Sequence, residues 1–196
     1  MKRAWTRFWA SVSLFTPLAA GAVAQTNTLG NPVASIRAAE SRLAGILPGK
    51  TTLRRAAELL GAPRERDLNS SSVRWNRCSD DLIAETDSGG LIQTIRVTRH
   101  LSLRQPANCT AAVSARQWVT GKGLGLGDAT SRAIQLYGKP DSRSPSTKAG
   151  QQLELLYYAF DWAGPDVPQV MEVVCTMGES GKPGRVVEIM LAASSL

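Results

Sequence analysis

Histidine occurs once in these 196 residues, cysteine three times, and aromatic side chains make up only 6% of the chain. These scarcities bound the chemistry. Any Ser–His–Asp or Cys–His arrangement would have to use His100, which sits with Thr98, Arg99 and Arg104 at the end of an expected strand and reads as exposed. No serine lies in a G-x-S-x-G elbow. Three scattered cysteines without a Cys-x-x-Cys, plus one histidine, match no zinc-ligand spacing, so neither a metal nor a cofactor is expected. A dense basic stripe is also missing, which argues against nucleic acid as a partner. Past the N-terminus no apolar run is long enough to span a bilayer. The adjacent acids Asp80 and Asp81 read as turn residues bonding nearby N–H groups.

The first residues carry a different pattern. Lys2, Arg3 and Arg7 form a basic segment, residues 8–20 are apolar, and Ala22-Val23-Ala24 is an A-x-A cleavage signature. Residues 1–24 are therefore expected to be a secretory signal peptide, cleaved after about Ala24, with export to the periplasm or beyond. No cysteine precedes Cys78, so no lipid anchor is expected at the cleavage site. Cleavage removes three positive charges and no acid, so the formal charge falls from +7 to +4. That mildly basic surface leaves room for peripheral contact with anionic membrane. Export permits a disulfide, and three cysteines leave one unpaired. The pair expected is Cys109–Cys175, because Cys109 opens the second half of the chain and Cys175 lies on a core-facing strand.

One short pattern occurs twice. Leu53–Pro63 reads LRRAAELLGAP and Thr130–Pro140 reads TSRAIQLYGKP. Each places larger or apolar residues at i, i+3, i+4 and i+7, which makes one helix face. Each then places Gly (Gly61, Gly138) and Pro (Pro63, Pro140) where a helix is closed and kept from resuming. Thr51 or Thr52 is expected to cap the first helix and Asp128 the second. Four short extended pieces follow each copy. They are 64–68, 73–78, 82–86 and 91–98, then 141–146, 152–162, 169–177 and 185–193, separated by turn residues in the manner of antiparallel meanders. The last strands also align, GLIQTIRV at 90–97 with GRVVEIML at 184–191. A further helix is expected over 34–44. The domain reading is a flexible arm over 25–33, a first α+β repeat over 34–102, and a linker with a second α+β repeat over 103–196.

Two motifs resemble nucleotide-binding loops. Ala44–Thr51 fits a relaxed phosphate-loop pattern, but a charged, helical segment precedes it where a buried strand is required. The simpler reading is a Pro-Gly turn before a capped helix. Gly121, Gly123, Gly125 and Gly127 alternate without the G-x-G-x-x-G spacing and read as a close-packed approach to the second helix.

The stretch QLELLYYAFDW over 152–162 carries apolar or aromatic side chains on both strand faces. Either both faces are buried, or one is an exposed recognition surface. Trp75 on the equivalent strand would extend such a surface, giving a candidate partner-binding set of Trp75, Tyr158, Phe160 and Trp162.

Export, the LLGAP and LYGKP helix ends, the strand meanders and the internal duplication together resemble the β-lactamase-inhibitor-protein-like fold, which includes the SmpA/OmlA-type outer-membrane assembly lipoproteins. The resemblance covers about residues 46–196. It implies tandem helix-loop-helix plus four-stranded units joined into a curved antiparallel sheet with helices on one face. It also implies a non-catalytic module that binds a protein partner, an envelope component or a secreted enzyme, through its sheet surface. The chain departs from the SmpA/OmlA lipoproteins in lacking a lipidated cysteine. Alternatives are a secreted hydrolase, which would gather His100 with an acid and Ser or Cys, and a structural envelope protein held by anionic membrane.

Overall fold

The structure, a computed structural model, describes residues 38–66, 71–101, 118–178 and 182–193. The expected signal peptide, the arm over 25–33, residues 34–37 of the expected first helix, most of the linker and Cys109 lie outside the described residues.

Both Gly-x-Pro segments form helices. Helix α1 spans Leu53–Leu60 and α2 spans Thr130–Tyr137. Thr52 caps α1, its hydroxyl accepting from Arg55 N–H at 3.3 Å. The cap of α2 is Ala129 rather than Asp128. The Asp128 carboxylate instead accepts from Gly125 N–H at 3.0 Å and pairs with Arg132 at 3.2 Å, holding the preceding glycine-rich loop. Gly61 and Gly138 close the helices at φ 86° and 80°, but with ψ at 177° and −167°. That region is one that essentially only glycine enters, so the demand on glycine is stricter than a left-handed helical turn.

Eight antiparallel strands follow in two meanders. The first holds β1 (Glu65–Arg66), β2 (Ser72–Arg77), β3 (Asp80–Thr86) and β4 (Ile92–Arg99). The second holds β5 (Ser142–Lys148), β6 (Gln151–Ala159), β7 (Val170–Thr176) and β8 (Val186–Ala192). They form one open sheet in the order β1-β2-β3-β4-β8-β7-β6-β5, so the meanders meet where β4 pairs with β8. The fold is α+β. Among the described residues no helix is long and apolar enough to cross a membrane.

The two halves share their internal bonds. Leu53 N–H donates to Gly90 C=O at 2.8 Å, and Thr130 N–H to Gly184 C=O at 2.9 Å. Ile92 N–H donates to Thr51 C=O at 3.0 Å, and Val186 N–H to Asp128 C=O at 2.8 Å. An aromatic donor from the second strand of each meander reaches the helix-closing glycine. Trp75 Nε1–H donates to Gly61 C=O at 2.8 Å, and the Tyr158 hydroxyl to Gly138 C=O at 3.3 Å. Each helix end is thereby tied to the sheet it introduces.

Strand alternation sends one set of side chains toward the helices. Register places Val73, Ala84, Ile95, Leu191, Met171 and Tyr158 in one cross-strand row, and Trp75, Leu82, Val97, Ile189, Val173 and Leu156 in the next. All twelve are buried and join Ala56, Ala133 and Tyr137 of the helices in a single core. Each large apolar side chain among them contributes about 1.5–3 kcal/mol on burial.

Residues 38–44 are not helical. Glu40 is buried, and its Oε1 accepts the N–H groups of Ser41 at 2.7 Å and Arg42 at 3.0 Å, which supplants helical bonding. Leu43 and Ile46 bond to each other across a turn in which Ala44 and Gly45 have φ of 54° and 80°. Glu40 Oε2 accepts from Lys122 N–H at 3.0 Å and the Tyr137 hydroxyl at 2.7 Å, and Tyr137 also bonds the Thr120 hydroxyl at 2.6 Å. This buried clasp fastens the N-terminal segment to the approach to α2. Gly121 lies against it, since a Cβ there would meet Glu40 Oε1 at 2.7 Å. Burial, reinforced by the neighbouring Glu40, raises the Tyr137 hydroxyl well above the usual phenol range.

Candidate functional site

The sheet face turned away from the helices carries two polar clusters. Register lines up Arg74, Ile83, Arg96, Met190, Glu172 and Tyr157 in one row, and Asn76, Asp81, Thr98, Glu188, Val174 and Leu155 in the next. Asp80 and Asp81 are not turn residues: they open β3 and are both buried. Alternation points them to opposite faces. On the helix side, Asp80 takes the Arg99 guanidinium through two bonds of 2.9 and 3.1 Å. On the helix-free side, Asp81 accepts from Asn76 Nδ2 at 2.6 Å, meets His100 Nε2 at 2.8 Å, and lies 3.7 Å from Arg74. His100 is half-exposed beside a buried carboxylate. Among the described residues no serine hydroxyl or cysteine thiol bonds its other ring nitrogen, and the Ser79 hydroxyl donates to Asp80 instead, at 3.3 Å. No group of three potential metal ligands converges among the described residues.

A second polar knot centres on Glu188. Its Oε2 accepts from the Thr98 hydroxyl at 2.7 Å and from Lys148 Nζ at 2.5 Å, and Arg96 lies 3.6 Å from Oε1. Lys148 also donates to Thr98. Lys148 starts four residues along β5 from Ser144, the position in line with Glu188 three strands away. On a flat sheet their Cα atoms would be roughly 20 Å apart, whereas two extended side chains and a hydrogen bond bridge only roughly 13 Å. The β5–β6 hairpin tip therefore curls over the helix-free face. Leu153, Val174 and Val187 form a second buried cluster on that side, with Leu101 and Leu155 packed against it.

The aromatic set foreseen as an exposed recognition surface is corrected. Trp75, Tyr158 and Phe160 lie in the core, each no more than 4% exposed. The Tyr158 ring packs edge-on to Tyr137 at 6.0 Å, and burial pushes its hydroxyl up to about 12. Strand β6 ends at Ala159, so Trp162 leaves the alternation. It sits in a 3₁₀ turn over Asp161–Ala163, 47% exposed, with its indole N–H on Ala159 C=O at 3.1 Å. Of the four, only Trp162 faces solvent, and the structure does not bring it together with the other three as a surface.

The Cys109–Cys175 pairing is also corrected. Cys175 is a free thiol, fully buried on the helix side of β7, and burial pushes it up to about 11. Cys78 is the disulfide-bonded cysteine. In the phosphate-loop-like stretch, Thr51 accepts from Leu47 N–H at 3.0 Å and Lys50 pairs with Asp166 at 2.7 Å, so both diagnostic side chains are engaged elsewhere. A separate open cleft of about 610 Å³ lies at the strand ends between Gln151, Gln152, Met177, Lys182 and Arg185.

Sequence reasoning missed Glu40, Asp81, Lys148 and Glu188. For Asp81 a signal was present: acids at the start of one strand face Arg99 and His100 at the end of the next once the hairpin register is drawn.

No protein-family model matches the chain, and no curated protein matches it. Among solved structures it is similar to YjgB of Bacillus subtilis, a DUF4309 family protein, at 11% identity and a TM-score of 0.42, over 76% of this chain and 83% of that one. It is similar also to SAV1118 of Staphylococcus aureus, a cysteine-rich secretory protein, at 11% identity and a TM-score of 0.39, over 81% of this chain and 47% of that one.

Proposed function

We propose that this chain is an exported, non-catalytic module of the β-lactamase-inhibitor-protein-like type, built by duplication of a helix-plus-meander unit, and that it recognises a protein partner through the helix-free face of its sheet. The carrying observation is a contrast between the two faces. Matching the halves through their shared bonds and registers pairs Val73 with Leu156, Trp75 with Tyr158, Leu82 with Met171, Ile95 with Ile189 and Val97 with Leu191 on the helix side. Apolar faces apolar at every one of these positions. On the helix-free side the same matching pairs Asn76 with Ala159, Asp81 with Val170, Arg96 with Met190 and Thr98 with Ala192. Core demands keep two copies alike, whereas recognition frees them to differ. The reading places recognition on the first meander, around Arg74, Ile83, Arg96 and His100.

The test is capture of envelope proteins by the mature chain, compared with Arg74→Glu and Ile83→Asp variants whose melting temperatures match the parent. A partner retained by the parent and lost with both variants supports the reading. A partner retained equally by all three overturns the site. Export is tested by the N-terminal residue of the secreted product, expected near Gln25.

The His100–Asp81 pair favours one second reading, a secreted hydrolase using His100 as base. Hydrolysis of model esters that is lost in His100→Ala would support it, and activity unchanged in that variant would refute it.

A further inference from the structure

We propose that Pro145 blocks pairing between copies of this chain at the free edge of β5. The two sheet edges differ greatly. β1 is two residues long, but β5 runs for seven residues with most of its side chains exposed and only one neighbouring strand. An exposed edge of that length offers unpaired peptide groups to another chain.

The outward-facing groups follow from the β5–β6 hairpin. Lys148 and Gln151 flank a two-residue turn, Ala149-Gly150, with φ of 49° and 77°. Positive φ at both turn residues is the twisted two-residue hairpin, whose flanking pair is hydrogen-bonded. Bonded and non-bonded pairs alternate from there. Residues 142, 144, 146 and 148 therefore point their peptide groups at β6, while Arg143, Pro145 and Thr147 point theirs outward. Pro145 costs the β5–β6 ladder nothing, and it removes the middle donor of the free edge.

The occupant this edge would otherwise fit is another β5. Pro145 is the centre of the strand. An antiparallel two-fold pairing sets 145 against its own copy and 143 against 147, so all three outward positions meet outward positions. With any residue but proline at the centre, the 145 pair would exchange two N–H to C=O bonds. Proline forbids both and puts two rings in the way. Charge supplies little of the usual protection, because Arg143 is drawn to Glu154 at 3.4 Å and Lys148 to Glu188 at 2.5 Å on the chain's own sheet.

Sedimentation velocity of the full chain and of Pro145→Thr, across a wide concentration range, tests this. Two restored bonds should tighten self-association about ten- to hundredfold, so Pro145→Thr should dimerise where the parent is monomeric. Adding Thr147→Pro, which removes another outward donor, should return it to monomer. Pro145→Ala restores the same N–H with a smaller side chain and gives the second readout should the Thr variant fold poorly. The proposal is overturned if folded Pro145→Thr or Pro145→Ala associates no more tightly than the parent, or if the Thr147→Pro addition leaves their dimer intact.

Discussion

Replacing Glu40 by Gln should destabilise the fold by about 2–4 kcal/mol, although it changes one atom type and no volume. The Glu40 carboxylate is 3% exposed and accepts four hydrogen bonds, two on each oxygen. A carboxamide has one acceptor oxygen. Whichever way it turns, its NH₂ faces two donors: the N–H groups of Ser41 and Arg42, or the Lys122 N–H and the Tyr137 hydroxyl. Each lost bond to a charged acceptor is worth about 1.5–3 kcal/mol. Part of that sum is offset because an amide loses less hydration on burial than a carboxylate does. The tyrosine side is the softer one, since its hydroxyl can rotate toward Thr120. Urea unfolding followed by tryptophan fluorescence measures the change. A cycle with Tyr137→Phe apportions it, because that variant removes one of the four donors and should couple to Glu40→Gln by more than about 0.5 kcal/mol. A loss for Glu40→Gln below about 0.5 kcal/mol, or strict additivity with Tyr137→Phe, would show that the clasp does not hold the N-terminal segment and would refute the reasoning.

Gly138→Ala and Gly61→Ala should each cost about 1–3 kcal/mol through backbone strain alone. A Cβ at either position meets nothing within 4 Å, so the loss in chemical denaturation should not grow further with side-chain size, from Ala to Ser. Trp75→Phe removes the indole N–H from Gly61 C=O and should cost about 1–3 kcal/mol. Tyr158→Phe, whose bond to Gly138 is longer at 3.3 Å, should cost less in the same assay. Asp87 accepts from Leu91 and Gly89 N–H and from Gln93, and the Leu91 bond foremost holds its carboxyl below the ordinary 3.8. A depressed folded value contributes stability that is present above 3.8 and lost as pH falls through the folded value. The acid limb of the parent's stability curve should therefore be steeper than that of Asp87→Asn, and superimposable limbs would exclude this role.

The helices and most strand positions were legible because their signals are local. A Gly at the end of an i, i+3, i+4, i+7 run, with Pro two residues later, needs no information from elsewhere in the chain. The stretch 38–44 misled for the same reason. Ala39, Leu43 and Ile46 have helical spacing, but the Glu40 carboxylate takes two of its donors from Lys122 and Tyr137, more than eighty residues on. The site was hidden for a related cause. Pairing Lys148 with Glu188 requires the coiling of four strands, and pairing Asp81 with His100 requires the β3–β4 register. The second can be drawn from two adjacent strands, whereas the first leaves no mark within a short window of sequence.

The aromatic residues show how a correct pattern acquires the wrong meaning. Trp75 and Tyr158 do occupy equivalent positions, as the alignment of the two meanders implies. Their equivalence reflects a shared constraint rather than a shared surface. Each helix ends on a glycine whose backbone leaves a carbonyl pointing at the sheet, and a large side chain with one polar tip can fill the core beneath it and also donate to it. Trp meets that need in the first half and Tyr in the second. A residue recurring at matched positions is then expected to face the helices. On the proposed reading, recognition belongs where the halves disagree, and a marked disagreement is the buried carboxylate Asp81, whose matched position in the second half is Val170. If the proposed surface binds a partner, Arg74→Glu and Ile83→Asp abolish that binding while Tyr157→Ala in the second half leaves it unchanged.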